Sequence, residues 1–107
     1  MGVLDKRQPT FIQFRVTFLE TVKKITGSDG IDAYTEWQDV GDLETRKAIL
    51  NKVKQSIITD FGFEPVLVEG LYDYQGPVES VANQVHHVFS TMYLVERINA
   101  KHAAGLN

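Results

Sequence analysis

The chain has 107 residues, no cysteine and a formal charge of -3, with 43% of its side chains hydrophobic and 23% charged. That length predicts a single domain able to bury a core without staples, and the lack of cysteine excludes disulfide frameworks, thiol nucleophiles and thiolate metal sites while fitting a reducing compartment. No apolar run reaches the roughly 18 residues that span a bilayer, and the opening MGVLDKRQPT lacks the apolar centre of a signal peptide, so a soluble cytoplasmic protein with no membrane partner is expected.

Charge is spread unevenly. Residues 1–26 carry five basic and two acidic side chains, residues 27–79 four against eleven, and residues 80–107 two against one. The middle of the chain is therefore acidic. Nucleic-acid binding needs Lys and Arg gathered into a patch that displaces counterions from phosphates, and no such patch exists here.

The first element is PTFIQFRVTFLETVKKITG. Alternation of Ile12, Phe14, Val16 and Phe18 with polar neighbours has the period of a strand, whereas Phe11, Phe14, Phe18, Val22 and Ile25 share one side of a helical wheel. The punctuation favours a helix over 9–26: Pro9 suits the first turn, Lys23 and Lys24 the last, and Gly27 the position beyond it. A strand over Ile12 to Phe18 is the competing reading. SDGIDAYTEWQDVGD then predicts a connection, with a short extended piece near Ile31 to Trp37.

A second helix is predicted over 42–61. Asp42 suits its cap, Glu44 its first turn, and Leu43, Leu50, Val53, Ile57 and Phe61 form a stripe that stops at Gly62. FEPVLVEGLYDYQG has β character near 65–74, read either as a tight hairpin with Gly70 at positive φ or as one strand interrupted there.

Gly76 and Pro77 then punctuate the start of a third helix over 77–104, on the order of 40 Å long and longer than a small domain is wide. Val78, Val81, Val85, Val88, Met92 and Val95 repeat at spacings of three and four, broadened by Ala82 and Phe89. This stripe predicts a core contact with the earlier helices, or in part a contact with another chain. Leu94 and Ile98 lie off it, on the face otherwise held by Ser80, His87 and Thr91. Met92, Leu94, Val95 and Ile98 are therefore the candidate partner-binding residues, facing another protein or a second copy of this one.

Chemistry is sparse by comparison. His86 and His87 diverge by about 100 degrees on a helix and so do not form a ligand pair. Glu79, Asn83 and His87 align at spacing four, a thin donor set that predicts no metal site. Ser80 and Ser90 lack nucleophile-elbow glycines, and no phosphate-cradling loop is present, so neither a catalytic residue nor a cofactor is predicted. Tyr72, Tyr74 and Glu79 are the one polar group that a turn against the last helix would gather, with Glu79 held as an anion by the helix N-terminus.

The run ETRKAILNKVKQSIITDFGFEPVLVEGLYDYQGPVES resembles phage S-adenosylmethionine lyases, small α+β proteins in which a helix leads to a strand, a glycine and tyrosine, and then a glutamate. The resemblance covers about a third of the chain and implies that Tyr72 or Tyr74 and Glu79 are the matching site positions. No strand pattern follows Glu79, which leaves the sheet of that family incomplete. The primary expectation is thus a mainly α single domain over 1–107, an α+β arrangement being the alternative, with three helices, a small β element and a flexible segment at 1–8. Its expected role is that of a non-catalytic accessory or regulatory protein that binds through the long last helix.

Overall fold

Thr10 starts the first helix. Its hydroxyl accepts the amide of Gln13 and the Gln13 side chain returns to the Thr10 amide, a reciprocal cap that satisfies two of the donors a helix start leaves open. The computed structural model describes residues 7–103, and α1 covers Phe11–Thr26. Pro9 lies just before the cap rather than inside the first turn. At the other end Gly27 takes φ 71° and returns its amide to the Lys23 carbonyl, a left-handed geometry that costs a residue with a Cβ more than glycine.

The second helix, α2, covers Leu43–Phe61 with Asp42 as its cap and Gly62 closing it at φ 80°. Ile49, Leu50, Val53, Ile57 and Phe61 are buried, while Leu43, expected on the same stripe, is half exposed at the helix start. The third, α3, covers Val78–Ala103, 26 residues and about 39 Å at 1.5 Å per residue. It gives the molecule its long axis, in overall dimensions of 49 × 24 × 19 Å. The first helix packs against both of the others and so forms the centre of the bundle.

Aromatic rings fill the space between them. Phe89 of α3 lies 4.9 Å from Phe61 and is stacked on Phe14 and Phe63 at 6.2 and 5.8 Å between centroids; Phe18 meets Trp37 at 6.2 Å. Such offset and edge contacts add to the burial of large apolar rings. Trp37 itself is fully buried and sits in a short 3-10 turn, Trp37–Asp39, so the connection between α1 and α2 contributes to the core instead of only crossing the surface.

That connection also begins α3. The amides of Val78 and Glu79 would be unpaired at a bare helix start, and they donate to the carbonyls of Thr35 and Ala33 at 2.8 and 2.9 Å. Asp32 shapes this accepting loop by taking the amides of Tyr34 and Thr35 on its carboxylate. The extended piece expected near Ile31 to Trp37 reduces to a single antiparallel bridge between Glu36 and Pro77.

The β element expected at 65–74 does not form. Residues 64–68 belong to no helix, turn or bend, and Glu69–Asp73 is a 3-10 helix in which Gly70 lacks a positive φ, so there is no hairpin. Side chains have claimed the acceptors that a second strand would need. Trp37 Nε1 and Arg46 Nε both donate to the Tyr72 carbonyl, at 3.1 and 2.8 Å, and Gln38 donates to the Asp73 carbonyl. The fold is therefore mainly α, with no strand among the described residues.

Candidate partner-binding surface

The buried line on α3 runs Val78, Val81, Ala82, Val85, Phe89, Tyr93. It follows the expected repeat as far as Val85 and then leaves it. A straight helix turns 3.6 residues at a time, so a strict seven-residue repeat drifts about 20° per heptad, and the large rings at 89 and 93 take the core positions. Val88 and Met92 are partly buried at the edge, Met92 packed on the core, while Val95 is 49% exposed and Val95 therefore does not continue the core stripe.

Beyond Tyr93 no residue of the helix is buried through Ala103. Leu94 is 61% exposed and Ile98 49%. Spaced by four, they stand one turn apart on the same side. With Tyr93, Arg97, Lys101 and Gln8 they border a shallow cleft of about 230 Å³. The Arg97 guanidinium lies over the Tyr93 ring at 5.9 Å, which holds one positive charge beside the two aliphatic side chains. Arg97 and Lys101 were not among the residues singled out from the pattern, because isolated basic residues on a helix carry no signal until a face is known.

The segment 1–8 expected to be flexible lies outside the described residues except for Arg7 and Gln8. Gln8 donates to the Ser90 hydroxyl, and His86 Nε2 is 3.3 Å from the Pro9 carbonyl. His86 also lies against the rings of Phe11 and Phe14, at 5.7 and 5.3 Å. It thus fastens the entry of α1 to α3. His87 points to solvent, and among the described residues no group of three His, Cys, Asp or Glu side chains is placed to hold a metal ion.

Tyr72, Tyr74 and Glu79 are close in sequence but separately engaged. Both tyrosines are partly buried against the core, and Tyr74 lies so near Gly76 that a Cβ added there would come within 2.6 Å of its ring. Glu79 pairs with Arg15 of α1 at 3.2 Å, both side chains about one third exposed. No hydrogen bond or ring contact joins the three among the described residues, and the α+β sheet implied by the lyase resemblance is not found there.

Two further concavities lie among the described residues. One, about 360 Å³, lies between α1 and α2 above Phe14, Phe18, Ile57, Phe61 and Phe89. The other, about 280 Å³, lies between Leu67, Val68 and Leu71 on one side and Asn83, Gln84, His87 and Val88 of α3 on the other. No helix among the described residues is long and apolar enough to cross a membrane. Comparison of the chain with protein-family models, with curated proteins and with solved structures finds no match.

Proposed function

We propose that this is a small accessory or regulatory protein that works in the cytoplasm by binding another protein chain, with the C-terminal turns of α3 as its contact. The observation that carries this reading is the end of burial at Tyr93 while the helix continues to Ala103 with Leu94, Val95 and Ile98 exposed. A solvated helix end gains nothing from large aliphatic side chains, whereas covering each one fully is worth roughly 1.5 to 3 kcal/mol. Met92 at the core edge extends the apolar strip inward, and Arg97 and Lys101 border it. An anchor of a few aliphatics inside a polar rim is the usual anatomy of a binding surface.

The test is the double substitution Leu94→Glu and Ile98→Glu, both on side chains that the fold leaves exposed. Light scattering across a concentration series separates association with a second copy from association with a different chain, which affinity capture from source extract then identifies. The expected result is loss of association with circular dichroism still helical. Association that survives both charges overturns the proposal.

A further inference from the structure

A second line of residues runs down α3 on the side away from the bundle. His87, Thr91, Leu94, Ile98 and Lys101 recur at spacings of four and three, and all five are exposed. That alternation is the seam along which one helix packs on another, and here it runs for about 21 Å at 1.5 Å per residue. Its large aliphatic members are Leu94 and Ile98, one turn apart, with Val95 exposed beside them.

Charge on this face has one sign. Arg97 flanks the seam and Lys101 ends it, and neither makes an ion pair among the described residues; the Arg97 guanidinium rests over the Tyr93 ring. Both border the same cleft as Leu94 and Ile98. Glu96 is the one carboxylate between Ser80 and Ala103. Two positions from Leu94, it lies about 200 degrees round the helix, partly covered on the bundle side.

We propose that this seam receives an acidic helix of another protein, which sets aliphatic side chains against Leu94 and Ile98 and carboxylates against Arg97 and Lys101. The inference rests on the reading of the α3 end as a contact and names the chemistry of what it contacts. Helical form follows from the backbone. The N–H and C=O groups along α3 are paired within the helix, so its side offers no edge to an extended chain, and a segment laid along it has to satisfy its own backbone, as a helix does. Acidic character follows from the two cations and the lack of a carboxylate on the face, since matched charge steers and aligns a partner while like charge repels it. The same charges disfavour a second copy. A two-fold contact uses one patch on both chains, and here it would gather two cations from each and no carboxylate around a single apolar centre. A copy that offered its 27–79 segment, with eleven acidic against four basic residues, would make a head-to-tail contact that leaves an α3 end uncovered unless it closes into a ring.

The experiment titrates the full chain, labelled with ¹⁵N, with a peptide of three Glu-Ile-Ala-Ala-Leu-Glu-Lys repeats and with its counterpart of three Lys-Ile-Ala-Ala-Leu-Lys-Glu repeats. The two share their aliphatic residues and helical spacing and carry opposite flanking charge. Expected are saturable amide shifts from Thr91 to Lys101 with the acidic peptide, affinity that falls as salt is raised, and binding of the basic peptide at least about tenfold weaker. Arg97→Glu with Lys101→Glu should reverse the preference while circular dichroism stays helical, and Arg97→Gln with Lys101→Gln should abolish it. Equal affinity for the two peptides, or a preference that these variants leave unchanged, would overturn the acidic partner and leave the α3 contact standing on its aliphatic residues. An absence of shifts with either peptide would overturn the inference too, while the contact itself is decided by Leu94→Glu and Ile98→Glu. Concentration-dependent shifts from Thr91 to Lys101 without peptide would assign the face to a second copy and likewise overturn it.

Discussion

Arg46 donates its Nε to the carbonyl of Tyr72 at 2.8 Å, joining the second helix to the end of the second 3-10 turn across 26 residues of chain. The same guanidinium reaches the Gly41 carbonyl through Nη1 and the Asp73 carboxylate through Nη2 at 3.2 Å, and only 8% of the residue is exposed. A buried guanidinium is tolerated when its donors are aimed at fixed acceptors, and Arg has the rigid fork to serve several at once. Arg46 therefore locks the loop before α2 and the turn before α3 to one helix.

Replacing Arg46 with leucine keeps bulk but leaves the Gly41 carbonyl without this partner and weakens the hold on Tyr72. We expect a loss of about 2 to 4 kcal/mol in unfolding free energy, read from urea denaturation. Arg46→Lys should recover little of it, since a single ammonium cannot reach three divergent acceptors. A lysine variant with full stability would show that charge alone, and not the fork, is what the site requires.

This network explains where sequence reading succeeds and where it stops. The three helices are visible in local chemistry: Asp42 as a cap, Gly27 and Gly62 as stops, and apolar residues at helical spacing all act within a few residues of themselves. The 65–74 segment is different. Its β propensity is real, but Arg46, Trp37 and Gln38 lie far away in sequence and take the carbonyls of Tyr72 and Asp73, a tertiary choice that no local pattern records. Arg46 looks in sequence like any basic residue on a helix. The partner-binding candidates were readable in part, because Leu94 and Ile98 break a polar face, whereas Val95 fitted the repeat and only the shift of the core line to Phe89 and Tyr93 leaves it outside.

A second prediction concerns acid. The Thr45 amide donates to the Asp42 carboxylate at 2.9 Å, and this bond, with one from the Thr45 side chain, holds the Asp42 carboxyl below its ordinary value of 3.8. A carboxyl whose pKa is lower in the folded chain binds fewer protons there than when unfolded. It therefore adds stability above the unfolded value, and that contribution is lost as pH falls through the folded one. Urea midpoints for the parent and for Asp42→Ala should differ at pH 6 and converge as pH drops below 3.8 toward the lowered value. Asp42→Asn, a cap that does not titrate in this range, should hold its advantage over alanine throughout. A gap between parent and alanine that stays constant down to pH 2 would mean that the carboxylate charge contributes nothing beyond the hydrogen bond.

The last prediction separates the fold from the projecting helix. Tyr93 is the final buried residue of α3, in contact with Phe89 at 5.9 Å and Phe61 at 5.7 Å, and every later described residue is exposed or only partly covered. Regions that make few buried contacts open at little cost, while those in the core open only with the whole domain. Amide exchange along α3 should therefore show a step: protection near the global value through Phe89, falling within about one turn past Tyr93. A chain ending after Val95 keeps every core residue and should lose no more than a few degrees in melting temperature, yet it lacks Ile98, Arg97 and Lys101 and should no longer associate. If a partner or second copy covers the helix end, its addition to the full chain should raise protection selectively from Leu94 to Ala103 and leave the core amides unchanged. Uniform high protection along α3 in the isolated monomer would mean that its last turns are held by something within this chain, and that they are not a waiting surface.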